Sequence, residues 1–281
     1  MILRDQGTLA RSATRGPVLY SYAATPAAPD QKPAAVVGIL HGYGDYGARY
    51  AHVMGAWAER GIASVAIDLR GHGRSQGRRG SCQRFDEYLD DTLELERLTS
   101  DKKVPAFLFG HSFGGLVAAS SVLARPAPWR ALVLSAPFFG LATPVTPLVA
   151  AASKIGSLVL PGLPLPNGIR SADITHDATI VRAYEEDPLV FHIVTPRWFT
   201  EVEAAQKRAL ASARTLTMPL YVVMGTQDRI ARYEVARAFY EHAGSSDKTW
   251  DTREGLFHEV LNEPVWHEIA DKIADFVLAR V

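Results

Sequence analysis

One cysteine, Cys82, stands in a chain of 281 residues. It rules out an intramolecular disulfide framework and any multi-thiolate metal site, and it is compatible with a reducing compartment. Charge is not in excess of either sign, since thirty Lys plus Arg balance thirty Asp plus Glu. The net field therefore offers little attraction to nucleic acid or to an anionic membrane, and neither is expected as a partner. Long uninterrupted apolar runs are missing too. The most membrane-like stretch, Pro144 to Pro166, has Lys154 as its only charge, but Pro144, Pro147, Pro161, Pro164 and Pro166 break it. That spacing opposes a spanning helix of about 20 residues, so the stretch reads as an apolar surface element or flap. Met1 to Pro17 carries Arg4, Asp5 and Arg11 and has no apolar core of the kind a secretory signal needs, so a cytoplasmic location is expected.

What is present is an ordinary globular composition, 47% hydrophobic and 21% charged. This excludes disorder and coiled coils and suits one elaborated α/β domain over residues 1–281. Thr8 to Arg11 with Val18, Tyr20 and Tyr22 suggests an opening antiparallel hairpin. Continuous apolar runs then predict strands buried on both faces at Ala34 to Leu40, Ser64 to Leu69, Ala106 to Gly110, Ala131 to Ser135 and Leu220 to Met224, with a last strand over Lys248 to Arg253. Helical periodicity falls between them, around Tyr50 to Ala58, Phe85 to Leu98, Phe113 to Leu123, Arg232 to His242 and Pro264 to Ala279. Alternating strands and helices imply right-handed crossovers and a mainly parallel sheet covered on both faces. The long interval before Leu220 predicts an insertion over residues 138–214, laid over the strand ends as a cap, with a helix from Pro196 to Ala213.

The chemistry enters at Gly110-His111-Ser112-Phe113-Gly114, a G-x-S-x-G turn set between a strand and a helix. Its flanking glycines let a serine hydroxyl stand clear, and the helix N-terminus supplies amide donors. A plain small-residue packing turn would look similar, but strand, turn and helix all fall where a nucleophile needs them. A neutral hydroxyl needs a base, and the base needs an orienting carboxylate. Asp228 follows the strand Leu220 to Met224 and His258 follows the last strand, which is the chain order Ser, acid, His expected on such a sheet. The main rival acid is Asp187, which precedes the last two strands. Asp251 lies inside a strand, and Glu254 is too near His258 in sequence. His41 and His111 are expected to brace loops.

The first glycine turn, Gly42 to Gly47, matches G-x-G-x-x-G after a strand, with Asp68 ending the next one, so nicotinamide binding has to be weighed. It would leave the serine turn and the late Asp and His without a role. As an oxyanion hole, the same turn would aim the Tyr43 amide with the Phe113 amide at a carbonyl oxygen. His258-Glu259-Val260-Leu261-Asn262 begins like H-E-x-x-H but has Asn262 at the second ligand position, so no metal is expected. The run Arg70, Arg74, Arg78 and Arg79, close to Asp86, Glu87, Asp90 and Asp91, reads as a salt-bridged surface in preference to a phosphate patch.

Taken together, His41 to Asp45, Asp68-Leu69-Arg70-Gly71-His72-Gly73-Arg74-Ser75, Gly110 to Gly115, Asp187-Pro188-Leu189, Gly225 to Arg229 and His258 to Glu263 resemble the monoacylglycerol lipase and lysophospholipase branch of the α/β-hydrolase superfamily. The resemblance spans most of the chain and thins over about 141–180. It implies an α/β-hydrolase fold with an eight-stranded sheet, Ser112 as nucleophile, Asp228 as acid, His258 as base, and Tyr43 and Phe113 as oxyanion donors. It also implies a carboxylic ester hydrolase, with no cofactor, acting on a small lipid-like ester with one acyl chain. Tyr43 departs from the small residue that family members often carry there. The apolar cap run suits transient contact with lipid aggregates, and no protein partner is implied. A binding module that keeps the fold without turnover is the alternative.

Overall fold

The computed structural model describes residues 3–4, 10–11, 16–26, 32–100, 103–126, 128–143 and 145–281. Its main sheet is built from Leu3–Arg4 (β1), Ser21–Ala24 (β2), Ala35–Leu40 (β3), Ile62–Ile67 (β4), Ala106–His111 (β5), Trp129–Ser135 (β6), Leu220–Gly225 (β7) and Lys248–Arg253 (β8). Their spatial order is β1-β2-β4-β3-β5-β6-β7-β8. From β4 to β8 every pairing is parallel, and β1 and β2 run antiparallel to their neighbours. Seven of these strands have four or more residues, and the eighth expected strand is met only by the two-residue edge piece β1. The opening hairpin is present as Ala10–Arg11 paired with Val18–Leu19, apart from the main sheet. Thr8 and Leu9 of that expectation lie outside the described residues.

The apolar runs have a direct cause. All six residues of β3, β5 and β7 are buried, because helices cover both faces. Ala51–Glu59 (α1) and Trp266–Leu278 (α8) lie together on one face, where Trp57 Nε1 donates to Ala270 O at 2.9 Å. Asp86–Thr99 (α2) and Phe113–Ala124 (α3) cover the other, with Tyr88, Leu95, Leu116 and Val117 in one apolar cluster. The outer strand β8 has no fully buried residue, as suits an edge strand. The strand β4 starts and ends two residues before its expected place, and just past its end the Asp68 carboxylate accepts from Gly47 N and Arg74 N at 2.7 and 2.8 Å.

Between β6 and β7 the chain makes the long excursion the spacing implied. It carries Pro147–Val159 (α4), Ala178–Glu186 (α5) and Pro196–Ser212 (α6). Both α4 and α6 begin at a proline, the helix position where a missing N–H costs nothing, and a threonine caps each. The apolar stripe of α5 is short, Ile180, Val181 and Tyr184, and of these only Tyr184 is buried; Asp177 starts the helix by accepting from Thr179 N and Ile180 N. The apolar face of α6 (Val202, Ala205, Ala209) joins the cluster of α3, so the excursion is docked on the sheet's own core. The helix α4 is otherwise: Leu148 and Leu158 are 79% and 78% exposed, with Val149, Ile155 and Val159 also in solvent. Among the described residues no helix is long and apolar enough to cross a membrane.

Candidate active site

The strands β3, β5, β7 and β8 deliver their following loops to one edge of the sheet. The serine follows β5 directly. Ser112 has φ 51° and ψ −118°, a left-handed conformation that costs about 1–3 kcal/mol in a non-glycine residue. Its backbone is held from both sides, Ser112 N donating to Ser135 O at 2.9 Å and Ser112 O accepting from Leu116 N and Phe138 N at 3.1 and 3.0 Å. The two glycines of the turn are steric necessities. A Cβ on Gly110 would lie 2.4 Å from Gly114 O, and one on Gly114 would lie 2.3 Å from Leu40 O. The sharp turn is therefore possible only where both flanks have no side chain.

The late histidine and aspartate meet this serine. Ser112 Oγ lies 2.8 Å from His258 Nε2, and His258 Nδ1 donates to Asp228 Oδ2 at 2.7 Å. That donation fixes the neutral tautomer, leaving Nε2 as the acceptor for the serine hydroxyl. The second oxygen, Asp228 Oδ1, accepts from Ile230 N and Ala231 N at 2.8 and 2.9 Å, so the carboxylate has no freedom to turn. The side chains of His258 and Asp228 are 5% and 0% exposed. Burial alone would lower the imidazole, but the Asp228 carboxylate, reinforced by Glu259 and Asp45, overrides it and holds His258 above its usual 6.5.

The rivals are accounted for by their own contacts. Asp187 accepts from Tyr46 Oη at 2.6 Å and Leu189 N at 2.8 Å, and so braces the loop after α5. Asp251 takes Tyr221 Oη and Arg253. Burial drives His41 down to about 4; its Nε2 accepts from Leu69 N at 2.9 Å, so its Nδ1 donates to Gly42 O at 2.7 Å and steadies the glycine turn. Burial, then His258, drive His111 down to about 3. It stays neutral beside the base, its Nδ1 3.1 Å from Ser135 Oγ. Asp68, which counted toward the nicotinamide reading, is instead occupied by its turn amides and Tyr22 Oη. Gly44 is closed off as well, since a Cβ there would be 2.5 Å from Phe191 O. In the basic loop, Arg70 meets Asp91 and Glu87 as expected, whereas Arg78 and Arg79 donate to the carbonyls of Gly162 and Leu189.

Two buried clusters beside the site carry no sequence period and escape a linear reading. Arg49 donates to both oxygens of Glu259 at 2.8 Å and to Asp45 Oδ1 at 3.1 Å, under the ring of Tyr184. Asn262 Nδ2, at the place a second zinc ligand would take, donates to Glu259 Oε2 at 2.8 Å. Glu263, whose side chain is 0% exposed, accepts from Phe257 N at 2.8 Å and from His176 N at 3.0 Å, joining the histidine loop to the excursion. The only available signal was their place in the motifs His41 to Asp45 and His258 to Glu263.

Phe113 is the first residue of α3, where an amide has no intrahelical acceptor. It lines, with Tyr43 and Ser112, a cavity of about 380 Å³ walled by Phe138, Leu141, Val145, Trp198, Phe199 and Val202. A second space of about 30 Å³ lies on the other side of Ser112, against His258, Asp45, Glu259 and Tyr184. Serine turn after β5, acid after β7 and histidine after β8 on this strand order make an α/β-hydrolase with a serine nucleophile turn.

A family model described as serine aminopeptidase, S33, matches residues 31–265. The chain belongs to that family of α/β-hydrolases, in the branch that holds the monoacylglycerol lipases. It is 30% identical over 256 residues to the monoacylglycerol lipase of Mycolicibacterium smegmatis, covering 90% of this chain and 91% of the relative. It is also 30% identical over 235 residues to phospholipase YtpA of Bacillus subtilis, covering 83% of this chain and 91% of that one. Among solved structures, the monoacylglycerol lipase of Paleococcus ferrophilus superimposes with a TM-score of 0.84 at 27% identity, over 94% of this chain and 99% of that chain.

Proposed function

We propose that the chain hydrolyses carboxylic esters of single-acyl-chain lipids, with Ser112 as nucleophile, His258 as base and then acid, Asp228 as the orienting carboxylate, and the amides of Tyr43 and Phe113 as oxyanion donors. The observation that carries this reading is the Ser112–His258–Asp228 relay, at 2.8 and 2.7 Å, opening on an apolar cavity of about 380 Å³. His258 takes the hydroxyl proton as Ser112 Oγ attacks the ester carbonyl, and the two amides hold the charge on its oxygen. The imidazolium gives that proton to the departing alcohol oxygen. A water, for which the 30 Å³ space beside His258 is large enough, then loses its proton to the same nitrogen and attacks the acyl-enzyme, releasing the acid and the serine. The relatives named for acting on monoacylglycerols and phospholipids support a glycerolipid substrate. Peptide substrates fit less well: Glu203, the carboxylate in the cavity lining, is taken by Lys207 Nζ at 2.6 Å and does not await a free amine.

The test is a panel of monoacylglycerols and p-nitrophenyl esters of increasing acyl length. The reading expects kcat/KM to climb with each methylene until the cavity is filled, by up to roughly fourfold per group at about 0.8 kcal/mol. A flat profile, or turnover of aminoacyl amides alone, would defeat it. The pH profile has a fixed sign. The base works only when neutral and is held above 6.5, so kcat/KM must fall on acidification with an inflection above pH 6.5. An inflection below pH 6 would show that another group limits the rate.

The excursion acts as a cap, and α4 is where it meets lipid aggregates. Leu148, Ile155 and Leu158 project into solvent on the same segment that contributes Val145 and Ala150 to the cavity wall. Replacing Leu148 and Leu158 by Lys is expected to weaken binding to vesicles of neutral phospholipid and monoolein by about a hundredfold or more, from lost apolar burial of about 1.5–3 kcal/mol each. Hydrolysis of p-nitrophenyl acetate, which needs no aggregate, should be unchanged. Equal vesicle binding by the variant would remove α4 from the lipid contact.

A further inference from the structure

Tyr43 owes its place in the proposed chemistry to its amide, which leaves its side chain unexplained. That side chain is 8% exposed and its hydroxyl donates to Ile193 O at 2.8 Å, a carbonyl 150 residues further on in the cap. The ring lies 3.9 Å from the ring of Trp198 and stands edge-on to Phe191 and Phe113 at 5.3 and 5.9 Å. Beside it, Phe191 N donates to Gly44 O at 3.1 Å. A few residues on, Thr195 N and Oγ1 both donate to Gly80 O, at 3.0 and 2.9 Å. The segment 190–198 is thus tied to the loop at Gly80 and, through Phe191 N and the Tyr43 phenol, to the turn that carries residue 43.

We propose that Tyr43 is a positioning residue through its hydroxyl: the anchor on Ile193 O transmits the seating of the cap to the amide that receives the oxyanion. The inference rests on the ester-hydrolase reading. A tyrosine side chain has two torsions, and fixing its far end fixes the direction of its Cα–Cβ bond, and with it the aim of the adjoining N–H. An oxyanion donor must sit 2.7–3.1 Å from where the charge develops, as a general geometric requirement of such sites. Loosening the anchor therefore weakens the transition state and leaves ground-state binding alone, since the ring still fills its part of the cavity wall.

Tyr43→Phe isolates the hydroxyl. With p-nitrophenyl butyrate, and with competent enzyme counted by fluorophosphonate titration, kcat is expected to fall roughly three- to tenfold, the range set by one lost neutral hydrogen bond. KM should stay within about twofold, and the order of preference along the acyl-length panel should not change. Tyr43→Leu removes the ring as well; its kcat should fall at least as far and its acyl preference should broaden. Wild-type kcat in Tyr43→Phe would overturn the inference, and so would a loss confined to KM or one that follows a drop in melting temperature. A wild-type enzyme that turns over no ester fails the functional reading first and takes the inference with it, a result the wild-type control separates from the others.

Discussion

Replacing Ser112 by Ala is expected to lower ester turnover by about 10⁴-fold or more while leaving the fold in place. Magnitudes of this order follow when one member of a nucleophile–base–acid relay is removed, because the remaining two groups have nothing to activate. The residual rate would come from the oxyanion donors and the cavity alone. Stability should not suffer. The backbone of Ser112 is held by Ser135 O, Leu116 N and Phe138 N, none of which involves the side chain, and an alanine Cβ is no larger than the serine it replaces. Both residues bear the same cost at φ 51°, so the melting temperature should stay within a few degrees. Near-normal turnover of monoolein or p-nitrophenyl butyrate by Ser112→Ala would show that another group attacks the ester.

The second large effect is on stability and comes from Arg49→Ala. The Arg49, Glu259 and Asp45 side chains are 11%, 8% and 4% exposed, so the variant leaves two carboxylates facing each other out of water. Removing one partner from a buried ion pair typically costs about 3–5 kcal/mol. For a chain of this size that corresponds to a fall of about 10 °C in the melting temperature. The pH dependence has a definite sign. Burial pushes Glu259 up, but Arg49 more than reverses this and brings it to about 2; Asp45, where burial wins over the same arginine, sits near 6. The contribution of Glu259 is therefore present above its ordinary 4.5 and lost only as pH falls toward 2. Without the guanidinium, which lowers both, the two carboxyls move up and take protons in the folded state at higher pH than in the wild type. The gap in stability between variant and wild type should accordingly narrow on acidification. Thermal unfolding of both proteins at pH 7.5 and 5 checks this, and an unchanged or wider gap at pH 5 would contradict the assignment of charge in the cluster.

The parts of this molecule legible in its sequence are those written in short-range patterns. The strands β3, β5 and β7 are apolar at every position because both faces are covered, and the glycines around Ser112 are forced by backbone approaches under 2.5 Å. Asp228 and His258 could be picked out because each follows a recognisable strand. What the pattern could not show are contacts between distant segments: Arg49 with Glu259, Glu263 with His176, Tyr43 with Ile193. None has a period, and each joins segments more than 80 residues apart in the chain. The helix α5 is harder to see, since its apolar stripe is only Ile180, Val181 and Tyr184 and Tyr184 alone is buried. The eighth strand of the sheet, Leu3–Arg4, is two residues long, too short to leave a pattern of its own.

The central claim is that His258 makes the hydroxyl of Ser112, and no other in the chain, a nucleophile. Incubation with a fluorophosphonate followed by peptide mass mapping reads this without knowledge of the substrate. A single adduct on the peptide containing Ser112 is expected in the wild type, with labelling slowed by several orders of magnitude in His258→Ala. Absence of an adduct, or one on Ser135 or Ser121, would contradict it.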